Sequence, residues 1–85
     1  IYNYITMTTN HKQLAGWVKS HYKGFYYEAK LYSDTTYGVN NSNIAKLYIE
    51  DELGNVIAKY DRDWVINPEN SEHIQITNEI INHLS

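Results

Sequence analysis

The sequence predicts an α+β domain, an antiparallel sheet of four to five strands with one C-terminal helix packed on one face. Two observations carry this. Residues 16–31 and 44–61 each alternate apolar and polar residues at a period of two on either side of a glycine-containing turn, the pattern of a hairpin with one buried face. From Ser71 to Leu84 the period becomes helical, and the helix is amphipathic. Two hairpins of the same polarity merge naturally into one antiparallel sheet, and the helix then covers its apolar face.

At 85 residues the chain is one small domain, of a size that buries about 60–65% of the surface its unfolded form exposes. The division expected is an N-terminal extension or edge strand over 1–15, followed by a single two-layer β-β-β-β-α unit over 16–85. In the first segment Ile1, Asn3, Ile5 and Met7 alternate with Tyr2, Tyr4, Thr6 and Thr8, which reads as extended chain able to pair with a sheet edge or with another copy.

In the first hairpin a two-residue loop at Lys23-Gly24 makes His21 face Tyr26, Lys19 face Glu28 and Trp17 face Lys30. Val18, Phe25, Tyr27, Ala29 and Leu31 then share one face. A slip of one residue would turn Glu28 and Lys30 inward, so the pattern itself sets the register. Residues 33–43 form a polar connection in which Gly38 is expected to supply a positive φ. Loops of this length are often functional, which singles out Tyr37, Asn40 and Asn41.

The second hairpin turns at Glu52-Leu53-Gly54-Asn55. It places Ala45, Leu47 and Ile49 against Val56, Ala58 and Tyr60, with Lys46 facing Asp61 and Tyr48 facing Lys59 on the opposite side. Trp64-Val65-Ile66 follows the charged turn Asp61-Arg62-Asp63, and Asn67-Pro68 ends it, because proline has no amide hydrogen for a ladder. Asn70 is the expected N-cap of the helix, with Glu72 in its first turn. His73, Ile74, Ile76, Thr77, Ile80, Ile81 and Leu84 share its apolar side.

With no cysteine there is no disulfide framework and no thiolate metal site. The histidines His11, His21, His73 and His83 have no metal-ligand spacing, so no metal and no cofactor are expected. No serine sits in a nucleophile elbow and no glycine run forms a phosphate loop. The expectation is therefore a non-enzymatic protein. No apolar run reaches the roughly 18 residues of a membrane span, and no signal peptide is visible, so a cytoplasmic protein without membrane contact is expected.

A net charge of −3 argues against duplex nucleic acid. The departure from average composition is aromatic: nine Tyr and two Trp, residues with an apolar body and a polar tip that favour interfaces. The uncovered sheet face should carry Trp17, Lys19, His21, Tyr26, Glu28, Lys30, Tyr32, Tyr48 and Lys59. Such a face can engage a host protein. It can also stack single-stranded nucleic acid, or capture a small nucleotide signal between the subunits of an oligomer.

Tyr37-Gly38-Val39-Asn40, Ile44-Ala45-Lys46-Leu47 and Tyr60-Asp61-Arg62-Asp63-Trp64, together with the hairpin Gly24-Phe25-Tyr26-Tyr27-Glu28-Ala29-Lys30, carry a further signal. The chain resembles, over residues 16–84, a small uncharacterised domain family associated with phages and mobile elements of Gram-positive bacteria. That family has no assigned activity, so no functional residue transfers. The resemblance implies a small accessory protein, for which inhibition of a host defence system is an expected occupation.

Overall fold

The computed structural model describes residues 16–32 and 38–85, so the segment 1–15 and the loop residues 33–37, Tyr37 among them, lie outside it. Five strands form one antiparallel sheet in sequential order: β1 (Gly16–Tyr22), β2 (Phe25–Leu31), β3 (Ile44–Glu50), β4 (Val56–Asp61) and β5 (Trp64–Ile66). The helix α1 (Ser71–Leu84) packs on the central strands β3 and β4. The molecule measures 33 × 26 × 17 Å. Its thin dimension corresponds to two layers, since stacked layers lie roughly 10 Å apart, and no described element covers the second sheet face.

The first hairpin has the register that its alternation dictates, with His21 opposite Tyr26, Lys19 opposite Glu28 and Trp17 opposite Lys30. Its turn residues Lys23 and Gly24 have φ of 50° and 85°. Both values are positive, as a two-residue turn matched to right-handed strand twist requires. Phe25, Tyr27, Ala29 and Leu31 are buried, and Val18 is partly buried against them.

The second hairpin also pairs as expected at Lys46–Asp61, Tyr48–Lys59, Leu47–Tyr60 and Ile49–Ala58. Asp51 fixes its turn by accepting from the amides of Leu53 and Asn55, each at 2.9 Å. These bonds, that from Asn55 first, hold the Asp51 carboxyl below its ordinary range.

Three departures from the expected pattern reshape the core. The register shifts once between Ile49 and Glu50, making Ile57 the extra residue of a bulge. Ile57 is therefore buried, and Val56, expected on the apolar face, is half-buried opposite Glu50. A second shift opposite Lys30 and Leu31 makes Ala45 the extra residue and brings Ile44 opposite Leu31, where it is fully buried.

The third departure concerns Gly38. Its φ is −80°, not positive. The residue in the left-handed region is Asn40, with φ 52° and ψ 37°, inside a short 3-10 turn at Val39–Asn41. Gly38 is needed for space, since a Cβ there would lie 2.3 Å from the carbonyl oxygen of Ile44 and 2.5 Å from that of Ser42. The close approach lowers Val39 into the core, where it is 1% exposed.

Helix α1 is capped by Asn70, whose side chain accepts from the amide of His73 at 2.7 Å. Its buried stripe is Ile76, Thr77, Ile80 and Ile81. His73 and Leu84 are half-buried, but Ile74, expected on the same side, is 42% exposed. The sheet meets a narrower arc of the helix than the apolar residues span.

The helix is also tied to the first hairpin by a polar clamp. Glu79 accepts from the hydroxyl of Tyr22 and from Lys23 Nζ, the latter at 3.1 Å, while Gln75 on the preceding turn donates to its second oxygen at 2.8 Å. The Tyr22 hydrogen bond first, then those from Gln75 and Lys23, pull the Glu79 carboxyl down to about 2. Its folded pKa lies below the unfolded carboxylate range, so the clamp stabilises fully above that range and fades as pH falls towards 2. Thermal melts of wild type and Glu79→Gln should therefore show the variant less stable at pH 7, with the gap closing between about pH 4.5 and 2. A gap that persists unchanged at the acid end would show that the carboxylate charge contributes nothing.

Candidate functional site

Strand pairing lays the side chains of the uncovered face out in three rows. At one end Trp17, Lys30, Lys46 and Asp61 are successive neighbours across β1 to β4. The middle row is Lys19, Glu28, Tyr48, Lys59 and Ile66. At the other end stand His21, Tyr26, Glu50 and Val56. Alternation at a period of two is what sends these residues outward while their neighbours form the core.

The tyrosines and glutamates lock one another. Tyr26 donates to Glu28 at 2.7 Å and Tyr48 donates to Glu50 at 2.6 Å, each pair two residues apart on one strand. The hydrogen bond to Glu28 first, then desolvation and the charges of Glu28 and Glu50, push the Tyr26 phenol up to about 12. Tyr48 is raised likewise, chiefly by its bond to Glu50. His21 leans on Tyr26, with ring centroids 5.2 Å apart. Each of these contacts restrains a ring that alternation turns outward.

The opposite end is arranged differently. Lys30 and Lys46 face each other directly on β2 and β3. Lys30 Nζ sits 5.8 Å from the ring centroid of Trp17, which is itself 53% exposed. Lys46 lies 3.9 Å from Asp61, and Arg62 shares that carboxylate at 3.6 Å. Arg62 is in the left-handed region, φ 63°, and its amide donates to the carbonyl of Ala45 at 3.2 Å. A shallow groove of about 250 Å³ crosses the face, lined by Trp17, Glu28, Lys46, Tyr48, Lys59 and Asp61 among others.

The face thus brings together Trp17, Lys19, His21, Tyr26, Glu28, Lys30, Tyr48 and Lys59. Tyr32 lies just beyond β2, 44% exposed, and exchanges hydrogen bonds with Asn43: its amide donates to the Asn43 carbonyl, and Asn43 Nδ2 donates back, both at 2.9 Å. Asn40 and Asn41 belong to the 3-10 turn, at the far end of the loop from that strand. Two groups escaped the sequence reading. Glu50 continues the outward series Lys46, Tyr48 at a period of two, and that signal was present. Arg62 neighbours Asp61 in the chain and Lys46 faces Asp61 in the hairpin register, so their grouping was legible, whereas the bond from the Arg62 amide to the Ala45 carbonyl had no local signal.

Among the described residues no three His, Asp or Glu side chains converge closely enough to hold a metal ion. No helix among them is long and apolar enough to cross a membrane.

A two-layer α+β domain with one helix-covered sheet face and one face of rings and charges that no described element covers is the class that fold and site define. The chain belongs to the family described as Domain of unknown function (DUF7678), whose model matches residues 14–85. No curated protein and no solved structure matches the chain.

Proposed function

We propose that this domain is a non-enzymatic binding module that engages another protein through its open sheet face. The observation that carries the reading is the set of rings on that face, Tyr26 and Tyr48 hydrogen-bonded to neighbouring carboxylates and Trp17 exposed beside Lys30. Trp and Tyr are among the side chains that binding hot spots favour, and a polar rim commonly surrounds them. Following the family resemblance, we further propose a cytoplasmic accessory protein of a phage or mobile element that acts on a host protein, with inhibition of a host defence system as its role.

Nucleic acid is the competing occupant of the same surface, because Lys19, Lys30 and Lys59 could follow phosphates. Glu28, Glu50 and Asp61 line the same groove and would repel a continuous phosphate chain. That acidic lining favours the protein partner over the single strand.

Affinity capture from host lysate, with nuclease-treated and untreated samples side by side, identifies the occupant. Binding of the captured protein should then weaken about 10- to 100-fold in Trp17→Ala, Tyr26→Ala or Tyr48→Ala, with the far-ultraviolet spectrum unchanged. Normal binding by all three variants would remove the open face as the interface. Capture of nucleic acid alone, lost at high salt, would replace the protein reading.

A further inference from the structure

The two ends of the open face differ in how far their charges are already satisfied. At the Tyr26 end, Glu28 and Glu50 each accept a tyrosine hydroxyl. At the Trp17 end, Lys30 and Lys46 stand directly opposite each other on the two neighbouring strands. Like charges in that position destabilise a sheet. The carboxylate that answers them is Asp61, 3.9 Å from Lys46 and shared with Arg62 at 3.6 Å. Lys30 has no carboxylate within ion-pairing distance among the described residues and rests on the Trp17 ring instead. Lys46 and Arg62 therefore share one carboxylate, and Lys30 has only an exposed indole beside it.

We infer that the protein partner presents an acidic side chain to this end of the face, a carboxylate seated between Lys30 and Lys46 with an apolar neighbour on Trp17. The inference rests on the protein-binding reading above and names the chemistry of the partner at that site. An incoming carboxylate relieves the cross-strand repulsion and finds two donors already in register. The apolar neighbour covers the indole and excludes water from the ion pairs, which strengthens them. A single carboxylate suits the site better than a polyphosphate chain, because Glu28 lies one row away on the same strand as Lys30. The site also has the signature of a stability trade for function: the sheet would be more stable with an acidic residue at position 30, opposite Lys46.

The test can be run while the partner is unidentified. A random peptide library displayed on yeast is selected against the intact protein, and the enriched peptides are measured against wild type, Lys30→Glu and Lys46→Gln. The result expected is enrichment of peptides with Asp or Glu adjacent to an aromatic or large aliphatic residue, their binding falling about tenfold or more in each lysine variant. Thermal melts of the same variants serve as the fold control, with Lys30→Glu melting at or above wild type. Enriched peptides that lack acidic residues, or that bind the lysine variants undiminished, overturn this inference and leave the protein-binding reading standing. No enrichment, together with salt-sensitive binding of a labelled oligothymidine probe, overturns both.

Discussion

Replacing Gly38 with alanine is expected to cost the domain about 3 kcal/mol, an overpacking penalty at the upper end of its usual range. The substitution is tolerable for the backbone itself, since φ at this position is −80° and suits any residue. The cost is steric. The new methyl would sit 2.3 Å from the Ile44 carbonyl oxygen, 2.5 Å from that of Ser42 and 2.7 Å from the Ile44 carbonyl carbon. All three contacts are backbone atoms, so no side chain can rotate away. Relief would require the 38–44 segment to lift, withdrawing Val39 and disturbing Ile44, both almost wholly buried. It would also break the bonds from the Gly38 amide to the Ser42 carbonyl and from the Ser42 amide to the Val39 carbonyl, each at 3.0 Å. A domain of this size holds about 4–13 kcal/mol in total, so urea unfolding should show a midpoint sharply reduced from wild type. A midpoint within the error of wild type would mean that the loop yields without disturbing the core.

Ile80→Ala should be comparably damaging, at about 3–4 kcal/mol, while Ile74→Ala should cost well under about 1 kcal/mol. Both are isoleucines on the apolar side of one helix, but a helical wheel sets them about 120° apart, with Ile74 at the rim of the apolar arc. The sheet covers the centre of that arc and leaves this rim exposed. Ile80 is 1% exposed in the layer between helix and sheet, and Ile74 is 42% exposed. Removing the Ile80 side chain leaves a cavity that flanking Ile76 and Ile81 cannot fill without moving off the central strands. Removing that of Ile74 mostly exchanges one solvated surface for another, and alanine is the better helix former. Parallel denaturant titrations of the two variants decide the matter. Equal losses would mean that the helix sits rotated on the sheet.

The same contrast runs through the site. Trp17, Lys30 and Lys46 were each legible as outward residues, because strand alternation depends only on neighbouring positions. Their meeting in one row was partly legible too. The turn at Lys23-Gly24 sets Trp17 opposite Lys30, but Lys30 meets Lys46 only because β2 pairs with β3 across a loop whose length does not fix register. Arg62 joins them through its chain neighbour Asp61, which the hairpin register sets opposite Lys46. The Tyr22–Glu79 clamp joins residues 57 positions apart in sequence and leaves no local pattern.

By itself the sequence determined the two hairpins, the register of the first and that of the second from Lys46 to Ile49, the C-terminal helix with its Asn70 cap, and which strand residues alternate away from the helix. These follow from a period of two, a period of about 3.6 and the turn chemistry of a few residues, all of which act within about a dozen positions. Only the tertiary structure decided where alternation breaks, at Ala45 and Ile57, because a bulge answers to the partner strand and the core rather than to its own residues. It also decided that Gly38 serves space and not a positive φ, that Val39 belongs to the core, and that Trp64–Ile66 supplies the fifth strand. Each of these depends on atoms brought together from distant parts of the chain, which local pattern cannot encode.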